Sequence, residues 1–303
     1  MRLLQQLEPS FIGRNNIIYY DMTETEIKKN NPWREIADRL DCLYSETEEY
    51  VYSKDVEMVR IFNKRVAKSK TNDQVYHPDE LIVNIPPEPW QGNPLKAKVI
   101  FLSLNPGFVE NVNWKLAKVL QNDNGILKRM LDFKKKTLCL EAESFFPESN
   151  DEKPIGCKDS ISMLGDWYWE NGLAKFREKV VDKDYTEKQF YRDVAIMQYH
   201  SYTSEKYGRT FTKAGYFLES QKFTAELIKY IIDNNKDVIF VIMRSLKRWK
   251  DLLEDSDKDF WKKNQERFLI KDNGSMSQAI SENNMKLKDG TMFFNELCNK
   301  LRE

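Results

Sequence analysis

Four short, largely apolar segments separated by longer stretches constrain the fold of this chain more than any other feature. They are residues 97–104 (AKVIFLSL), 193–199 (DVAIMQY), 237–244 (DVIFVIMR) and 267–271 (RFLIK). A continuous apolar run, rather than an alternating one, is typical of a strand buried on both faces. Strands that alternate with helices favour a parallel sheet covered by helices. The sequence therefore predicts an α/β fold with a central four-stranded parallel sheet flanked by helices.

Helical periodicity is clear in three stretches outside these strands. Residues 33–52, 55–70 and 217–235 carry apolar residues at helical spacing, and the last of these has the most regular apolar stripe. Two of the three stretches precede the first predicted strand, so the N-terminal part of the chain is expected to be mostly helical.

A proline-rich segment separates this helical part from the first strand. Four prolines occur between Pro86 and Pro94, and they indicate a stiff, extended loop because proline fixes φ and removes a backbone donor. We therefore predict an N-terminal helical extension over residues 1–84, packed on an α/β domain over residues 85–303. Within that domain, residues 109–192 form a long, helical, aromatic-rich insert.

Composition disfavours several classes of protein. Of 303 residues, 41% are hydrophobic and 32% are charged, which is the balance of a globular protein with a charged surface. Lys plus Arg and Asp plus Glu are both 48, so bulk positive charge is absent and only a local basic groove could bind nucleic acid. No apolar run is long enough to span a membrane and no signal peptide is evident. We expect a cytoplasmic monomer without a membrane partner.

Motifs for metals and common cofactors are missing from the sequence. The four cysteines form no CxxC pair and the chain has only two histidines, which disfavours a zinc site or an iron–sulfur cluster. The sequence also lacks the GxGxxG and GxxxxGK[ST] loops that bind dinucleotides and nucleoside triphosphates. We therefore expect neither a metal nor a cofactor.

Polar residues follow each of the four predicted strands. Ligands of open α/β sheets bind beyond the carboxyl ends of the strands, so these positions are where a site is expected. None of the four ends carries a pair of carboxylates or a cysteine nucleophile. The candidate residues, in chain order, are Ser103, Asn105, Gly107, Gln198, His200, Arg244, Lys247, Asn273, Ser275 and Ser277.

Two of these strand ends resemble motifs of the uracil-DNA glycosylase superfamily. "SLNPGF" at residues 103–108 is similar to its first motif, in the Asn-Pro-Gly form of the mismatch-specific and single-strand-selective branches. "NGSMSQ" at 273–278 resembles a degenerate second motif, and "VAIMQYHSY" lies where the superfamily places the amide that reads the base. The resemblance covers about residues 85–301. It implies a hydrolase that flips a pyrimidine out of DNA, cleaves its N-glycosidic bond and leaves an abasic site.

The resemblance also implies roles for individual residues. Asn105 would place the water that attacks the sugar, and Gln198 would read the edge of the base. Asn273 or His200 would donate a hydrogen bond to a base oxygen as negative charge develops there. Met276 would be the apolar wedge that fills the gap left by the flipped base. The implied base contacts are Ser103, Gly107, Phe108, Gln198 and Tyr168, and the implied DNA contacts are Arg244, Lys247, Arg248, Ser275, Met276 and Ser277.

Departures from the superfamily pattern indicate a base larger than uracil. Ser103 replaces the usual glycine of the first motif, Gly274 replaces the proline of the second, and Gln198 is one methylene longer than the usual asparagine. Gly107 stands where the uracil-strict branch has a tyrosine that walls off the C5 side of the pyrimidine. We therefore expect a bulky modified pyrimidine as substrate, such as a modified cytosine of phage DNA, and hence a role in antiviral defence.

Several alternatives stay open on the sequence alone. The chain could be an ordinary uracil or mismatch repair glycosylase, or a catalytically weak module of the same fold that binds modified DNA. It could also be an unrelated α/β protein that binds a nucleoside or a sugar. Asn105-Pro106-Gly107 and the stretch around Asn273 are both common turn sequences, and a single histidine such as His200 is more often structural. Tyr168 lies in an aromatic cluster that could simply be core.

Overall fold

The structure, a computed structural model, places a mixed five-stranded sheet among helices and describes residues 22–71, 77–107, 124–145, 171–206, 217–272 and 279–303. The strands are β1 (Trp90–Gln91), β2 (Val99–Ser103), β3 (Val194–Gln198), β4 (Ile239–Ile242) and β5 (Phe268–Ile270). The α-helices of these residues are α1 (Glu24–Asn30), α2 (Trp33–Arg39), α3 (Val56–Ala67), α4 (Asn124–Leu138), α5 (Ala174–Val180), α6 (Glu187–Asp193), α7 (Glu219–Asn234), α8 (Leu246–Leu253), α9 (Phe260–Asn264) and α10 (Phe294–Arg302).

The strands lie in the order β1-β3-β2-β4-β5. β3, β2, β4 and β5 are parallel neighbours, with Val99 of β2 opposite both Val194 and Ile239. β1 is antiparallel to β3, and its Trp90 lies opposite Met197. The α/β class is confirmed and a strand lies within each of the four predicted segments. The prediction of a four-stranded parallel sheet is wrong, because a fifth, antiparallel strand borders β3.

Alternate residues of the strands contribute to two separate cores, one on each face of the sheet. Ile100 and Leu102 belong to the core that also contains Trp33 of α2, together with side chains of α1, α3, α7 and α8. Val99 and Phe101 belong to the core on the other face, which contains side chains of α5, α6 and α10. Two-sided burial explains why each strand is a continuous apolar run. The N-terminal helices therefore share a core with the sheet.

The helical predictions differ in outcome. α3 and α7 lie within the predicted stretches 55–70 and 217–235. The prediction for residues 33–52 is wrong beyond Arg39, where α2 ends. Arg39 donates to the backbone carbonyls of Glu49 and Val51, and the amide of Tyr50 donates to the carbonyl of Val83. These tertiary hydrogen bonds take the place of the helical ones.

No helix of the described residues is long and apolar enough to cross a membrane.

Candidate functional site

The loop that follows β3, residues 199–206, lies beside the Asn-Pro-Gly stretch that follows β2. The amides of Tyr199 and His200 donate to the carbonyls of Ser103 (3.1 Å) and Leu104 (2.7 Å), which continues the parallel β2–β3 pairing past the ends of both strands. The two strand ends that the sequence analysis singled out are thus brought together. We refer to residues 199–206 as the post-β3 loop.

The proline-rich segment and the residues just before it hold the post-β3 loop from its other side. The amide of Glu88 donates to the carbonyl of Ser201 (2.8 Å), and the amide of Ile82 donates to the carbonyl of Thr203 (2.8 Å). The loop therefore lies between two extended segments, and its backbone position is well defined.

Asn105 is bonded to the post-β3 loop through its side-chain nitrogen. Nδ2 donates to Oγ of Ser204 (2.9 Å), to the carbonyl of Ser204 (3.3 Å) and to the carbonyl of Pro106 (3.0 Å). An asparagine that only forms a turn bonds its own neighbours, whereas Ser204 is 99 residues away in the chain. Because Nδ2 makes every hydrogen bond of this side chain within the described residues, Oδ1 is the atom left to accept one from water or a ligand.

Gln198 and Ser103 are opposite each other at the carboxyl end of the sheet, and both are buried. The amide of Gln198 donates to the carbonyl of Pro89 (2.9 Å), so the backbone is held in place. Its side-chain oxygen Oε1 is buried and accepts no hydrogen bond from the described residues. Leaving such an acceptor unsatisfied costs about 1–3 kcal/mol, so a ligand that donates to it would recover that energy.

His200 is a neutral, buried imidazole. The side chain is 1% exposed, and burial together with the nearby charge of Arg248 lowers its pKa to about 3. Its ring packs edge-on against the ring of Tyr199, with the centroids 5.2 Å apart. A neutral imidazole has one N–H donor and one acceptor nitrogen, so His200 can form a hydrogen bond to a ligand but brings no charge to it.

A sharp turn at Ser245 precedes the helix that carries Arg248. Ser245 has φ 56° and ψ 51°, a left-handed conformation that non-glycine residues seldom adopt. The turn starts α8 shortly after β4, and α8 buries Trp249 in the core that also contains Trp33. The charge of Arg248, one residue earlier, lowers the pKa of His200 and opposes the rise that burial causes in the pKa of Tyr199.

The other two predicted DNA-binding cations have different surroundings. The Lys247 side chain is 83% exposed, and its Nζ pairs with Asp251 at 2.6 Å. Arg244 is half-buried, and the buried Lys271 at the end of β5 has its pKa lowered by burial and by the charge of Arg244. Positive charge therefore follows both β4 and β5.

Gly107 lies on the surface and has room beside it. Among the described residues, a Cβ added to Gly107 would meet no atom within 4 Å. The remaining predicted site residues lie outside the described residues, so their roles stay predictions. They are Phe108, Tyr168, Asn273, Ser275, Met276 and Ser277.

Ser204 is a residue of the site that the sequence analysis missed. It is 1% exposed and holds the side chain of Asn105. The only signal for it was its place in the polar stretch "QYHSYTS" after the second predicted strand. A serine in such a stretch is too common to be singled out.

A cleft of about 310 Å³ opens at the opposite end of the sheet. Its charged groups pair with one another: Asp193 pairs with Lys98 (3.6 Å) and Arg192 (2.6 Å), and Asp182 pairs with Arg302 (2.7 Å). In the described ranges, no group of three His, Cys, Asp or Glu side chains could hold a metal ion. The carboxyl end of the sheet, with the unsatisfied oxygen of Gln198, is therefore the stronger candidate.

Comparisons of this chain with models of known protein families, with curated proteins and with solved structures give no match. The case for a function comes from the residues of the site and their geometry.

Proposed function

We propose that the protein is a DNA N-glycosylase, which flips a pyrimidine nucleotide out of DNA and hydrolyses its N-glycosidic bond. The observation that carries the proposal is the placement of two side-chain amides at one end of the sheet. Asn105 lies two residues beyond Ser103, which is opposite Gln198. Neither Oδ1 of Asn105 nor Oε1 of Gln198 accepts a hydrogen bond from the described residues.

Cleavage of an N-glycosidic bond places two electrostatic requirements on a site, and the side chains at this end of the sheet can meet them. Positive charge develops on the sugar and negative charge on the departing base, so the site has to hold a water near the sugar and donate hydrogen bonds to the base. Oδ1 of Asn105 can accept a hydrogen bond from the water and so direct its lone pair at the sugar. An amide is a weak base, so the reaction depends mainly on departure of the base. As the new C–O bond forms and the C–N bond is lost, the proton of the water passes through solvent to the departing base anion, which leaves an abasic sugar and a neutral free base.

Gln198 and His200 are the groups that we assign to the base. The carboxamide of Gln198 offers a donor and an acceptor, which matches the mixed edge of a pyrimidine. The neutral imidazole of His200 can donate its N–H to a base oxygen as negative charge develops there. The base would reach these groups only after it has left the helical stack, since a paired base is inaccessible to both.

The DNA backbone would contact the positive charge that follows β4. Arg244 and Arg248 are half-buried, and Lys247 lies on the surface. Because the whole chain has no net charge, binding would depend on this local concentration of cations.

The proposed substrate is a bulky modified pyrimidine, such as a modified cytosine of phage DNA. The space beside Gly107 supports this choice, because no atom of the described residues lies within 4 Å of a Cβ added there, where the C5 side of a pyrimidine would lie. The corresponding biological role is antiviral defence by a cytoplasmic monomer. The likeness of "SLNPGF" to the uracil-DNA glycosylase superfamily is part of the same proposal.

The proposal is tested by base release from a panel of DNAs that contain uracil, mismatched thymine, hydroxymethylcytosine or glucosylated cytosine. Alkali converts the abasic sites to strand breaks. We expect release from one substrate, reduced by at least about 100-fold in Asn105→Ala. Asn234→Ala is the matched control, because Asn234 is exposed and makes only a local bond to the carbonyl of Tyr230. Binding to one DNA without release would favour the alternative of a modified-DNA-binding module.

A further inference from the structure

The post-β3 loop is anchored to the N-terminal helical segment by a buried pair of side chains. The hydroxyl of Tyr202 donates to Oδ2 of Asp55 (2.9 Å) and accepts from the amide of Tyr52 (3.2 Å). The other carboxylate oxygen of Asp55 accepts from the amide of Ser220 in the first turn of α7 (3.3 Å). Asp55 is 0% and Tyr202 1% exposed, so the pair joins three parts of the chain inside the protein.

The Asp55–Tyr202 pair is suited to fix the loop rigidly. Burial raises the pKa of Tyr202 well above its usual value, so its hydroxyl keeps its proton and remains a donor. The ring of Trp33 also packs edge-on against the ring of Tyr202, with the centroids 5.8 Å apart. If the post-β3 loop moved, the Tyr202 hydroxyl would leave the Asp55 carboxylate buried with one hydrogen bond fewer. The cost of that loss favours the observed position of the loop.

Two residues beyond Tyr202, the hydroxyl of Ser204 determines which way the amide of Asn105 faces. Oγ of Ser204 donates its proton to the carbonyl of Lys206 (2.9 Å), so towards Asn105 it can only accept. Nδ2 of Asn105 therefore meets three acceptors: this hydroxyl and the carbonyls of Ser204 and Pro106. A flipped amide would set Oδ1 against all three, so Oδ1 has to face away from the loop.

We infer that Ser204 is a positioning residue for Asn105, and that the Asp55–Tyr202 pair holds Ser204 in the place where it does this. The inference rests on the proposed function in one respect, namely that the oriented Oδ1 is the atom that binds the water. The N-terminal helical segment then belongs to the framework of the site, although none of its residues was predicted to act there.

The orientation of Asn105 can be measured without any activity. In protein labelled with ¹⁵N-asparagine, the side-chain NH₂ signals of Asn105 are those absent from Asn105→Ala. We expect Ser204→Ala to speed hydrogen exchange of these protons by on the order of 10-fold, through loss of the hydrogen bond to Oγ. Ser201→Ala is the matched control, since Ser201 is buried in the same loop. Equal exchange rates in the two variants would overturn the role of Ser204.

The role of the Asp55–Tyr202 pair is tested by Tyr202→Phe against Tyr185→Phe. Each removes a buried hydrogen bond from a tyrosine to an aspartate, but Tyr185 bonds Asp193 at the amino end of β3 (3.0 Å), far from the site. We expect faster exchange of the Asn105 amide only in Tyr202→Phe. We also expect the single-turnover rate of base release at saturating DNA to fall on the order of 10-fold in that variant alone, with an unchanged Kd for DNA.

The outcomes separate the two proposals. Equal amide exchange and equal rates in Tyr202→Phe and Tyr185→Phe would overturn the role of the pair, even for an active enzyme. Absence of base release by the unmodified protein would overturn the glycosylase proposal instead, while the exchange rates would still decide how Asn105 is held.

Discussion

Arg248 of α8 lies close enough to the buried ring of His200 for its charge to lower the pKa of the imidazole. Burial is the larger cause, and the two together lower the pKa to about 3. The two residues come from different strand ends: His200 follows β3, and Arg248 lies in the first turn of α8, which begins after the left-handed Ser245. We base two predictions about proton binding on this relationship.

The first concerns stability and pH. The unfolded chain binds a proton at His200 below pH 6.5, whereas the folded chain binds one only near pH 3, so stability falls as pH decreases between these values. Within that window, we expect His200 to lower the free energy of unfolding by about 1.4 kcal/mol for each unit by which the pH decreases. Urea unfolding from pH 7 to pH 4 should therefore show a weaker pH dependence in His200→Gln. His77→Gln is the control, and an equally weakened dependence there would contradict the prediction.

The second concerns the source of the low pKa. Arg248→Met removes a positive neighbour, so the pKa of His200 should rise from about 3 while staying below 6.5, because the ring remains buried. An NMR titration of the ring protons measures this directly. In Lys247→Met we expect no change, since that lysine is exposed and paired with Asp251. An unchanged pKa in Arg248→Met would show that burial alone is responsible.

Gly92 is a position where the backbone excludes any side chain. Its φ is +73°, and an added Cβ would lie 2.6 Å from the carbonyl oxygen of Val194 in β3. We expect Gly92→Ala to lower the free energy of unfolding by about 3 kcal/mol, through strain and the clash. Gly290→Ala is the matched control, because Gly290 has φ +88° but no atom within 4 Å among the described residues. For Gly290→Ala we expect the free energy of unfolding to fall by about 1 kcal/mol, because of the left-handed conformation alone.

Gly107 is expected to influence which base enters the site rather than how stable the protein is. No atom of the described residues lies within 4 Å of a Cβ added to Gly107, so Gly107→Tyr should change the free energy of unfolding by less than about 0.5 kcal/mol. Release of a bulky modified pyrimidine should fall by at least about 10-fold relative to uracil, because the added ring would occupy the space assigned to the C5 substituent. The measurement is the ratio of the two release rates. An unchanged ratio would mean that Gly107 does not border the base.

The strands could be predicted from the sequence because burial on both faces leaves a signal that does not depend on distant residues. Ile100 and Phe101 are in different cores, yet each simply has to be apolar. β1 could not be found in this way. It is two residues long, its neighbour Pro89 has no amide hydrogen, and it forms because the edge of β3 offers partners, as when Gln198 donates to the carbonyl of Pro89.

The site could be predicted only where it follows from the topology of the sheet. Asn105 and Gln198 were both expected at the carboxyl end of the sheet, because each follows a predicted strand and ligands of open α/β sheets bind there. The contribution of Ser204 depends on a bond across 99 residues and on the direction of one hydroxyl proton. The anchor at Asp55 is even less visible, because an aspartate in a charged N-terminal segment is normally assigned to the surface.

The proline-rich segment has a consequence for association between molecules. An exposed edge strand offers unpaired amides that can recruit a strand from another molecule and so start aggregation. Here β1 pairs inward with β3, and the residues just before it include Pro86, Pro87 and Pro89, which have no amide hydrogen to offer outward. The edge beyond β3 is therefore only two residues long, and the prolines before it add no amide to extend it. The same prolines that border the site thus disfavour strand pairing between molecules along this edge of the sheet.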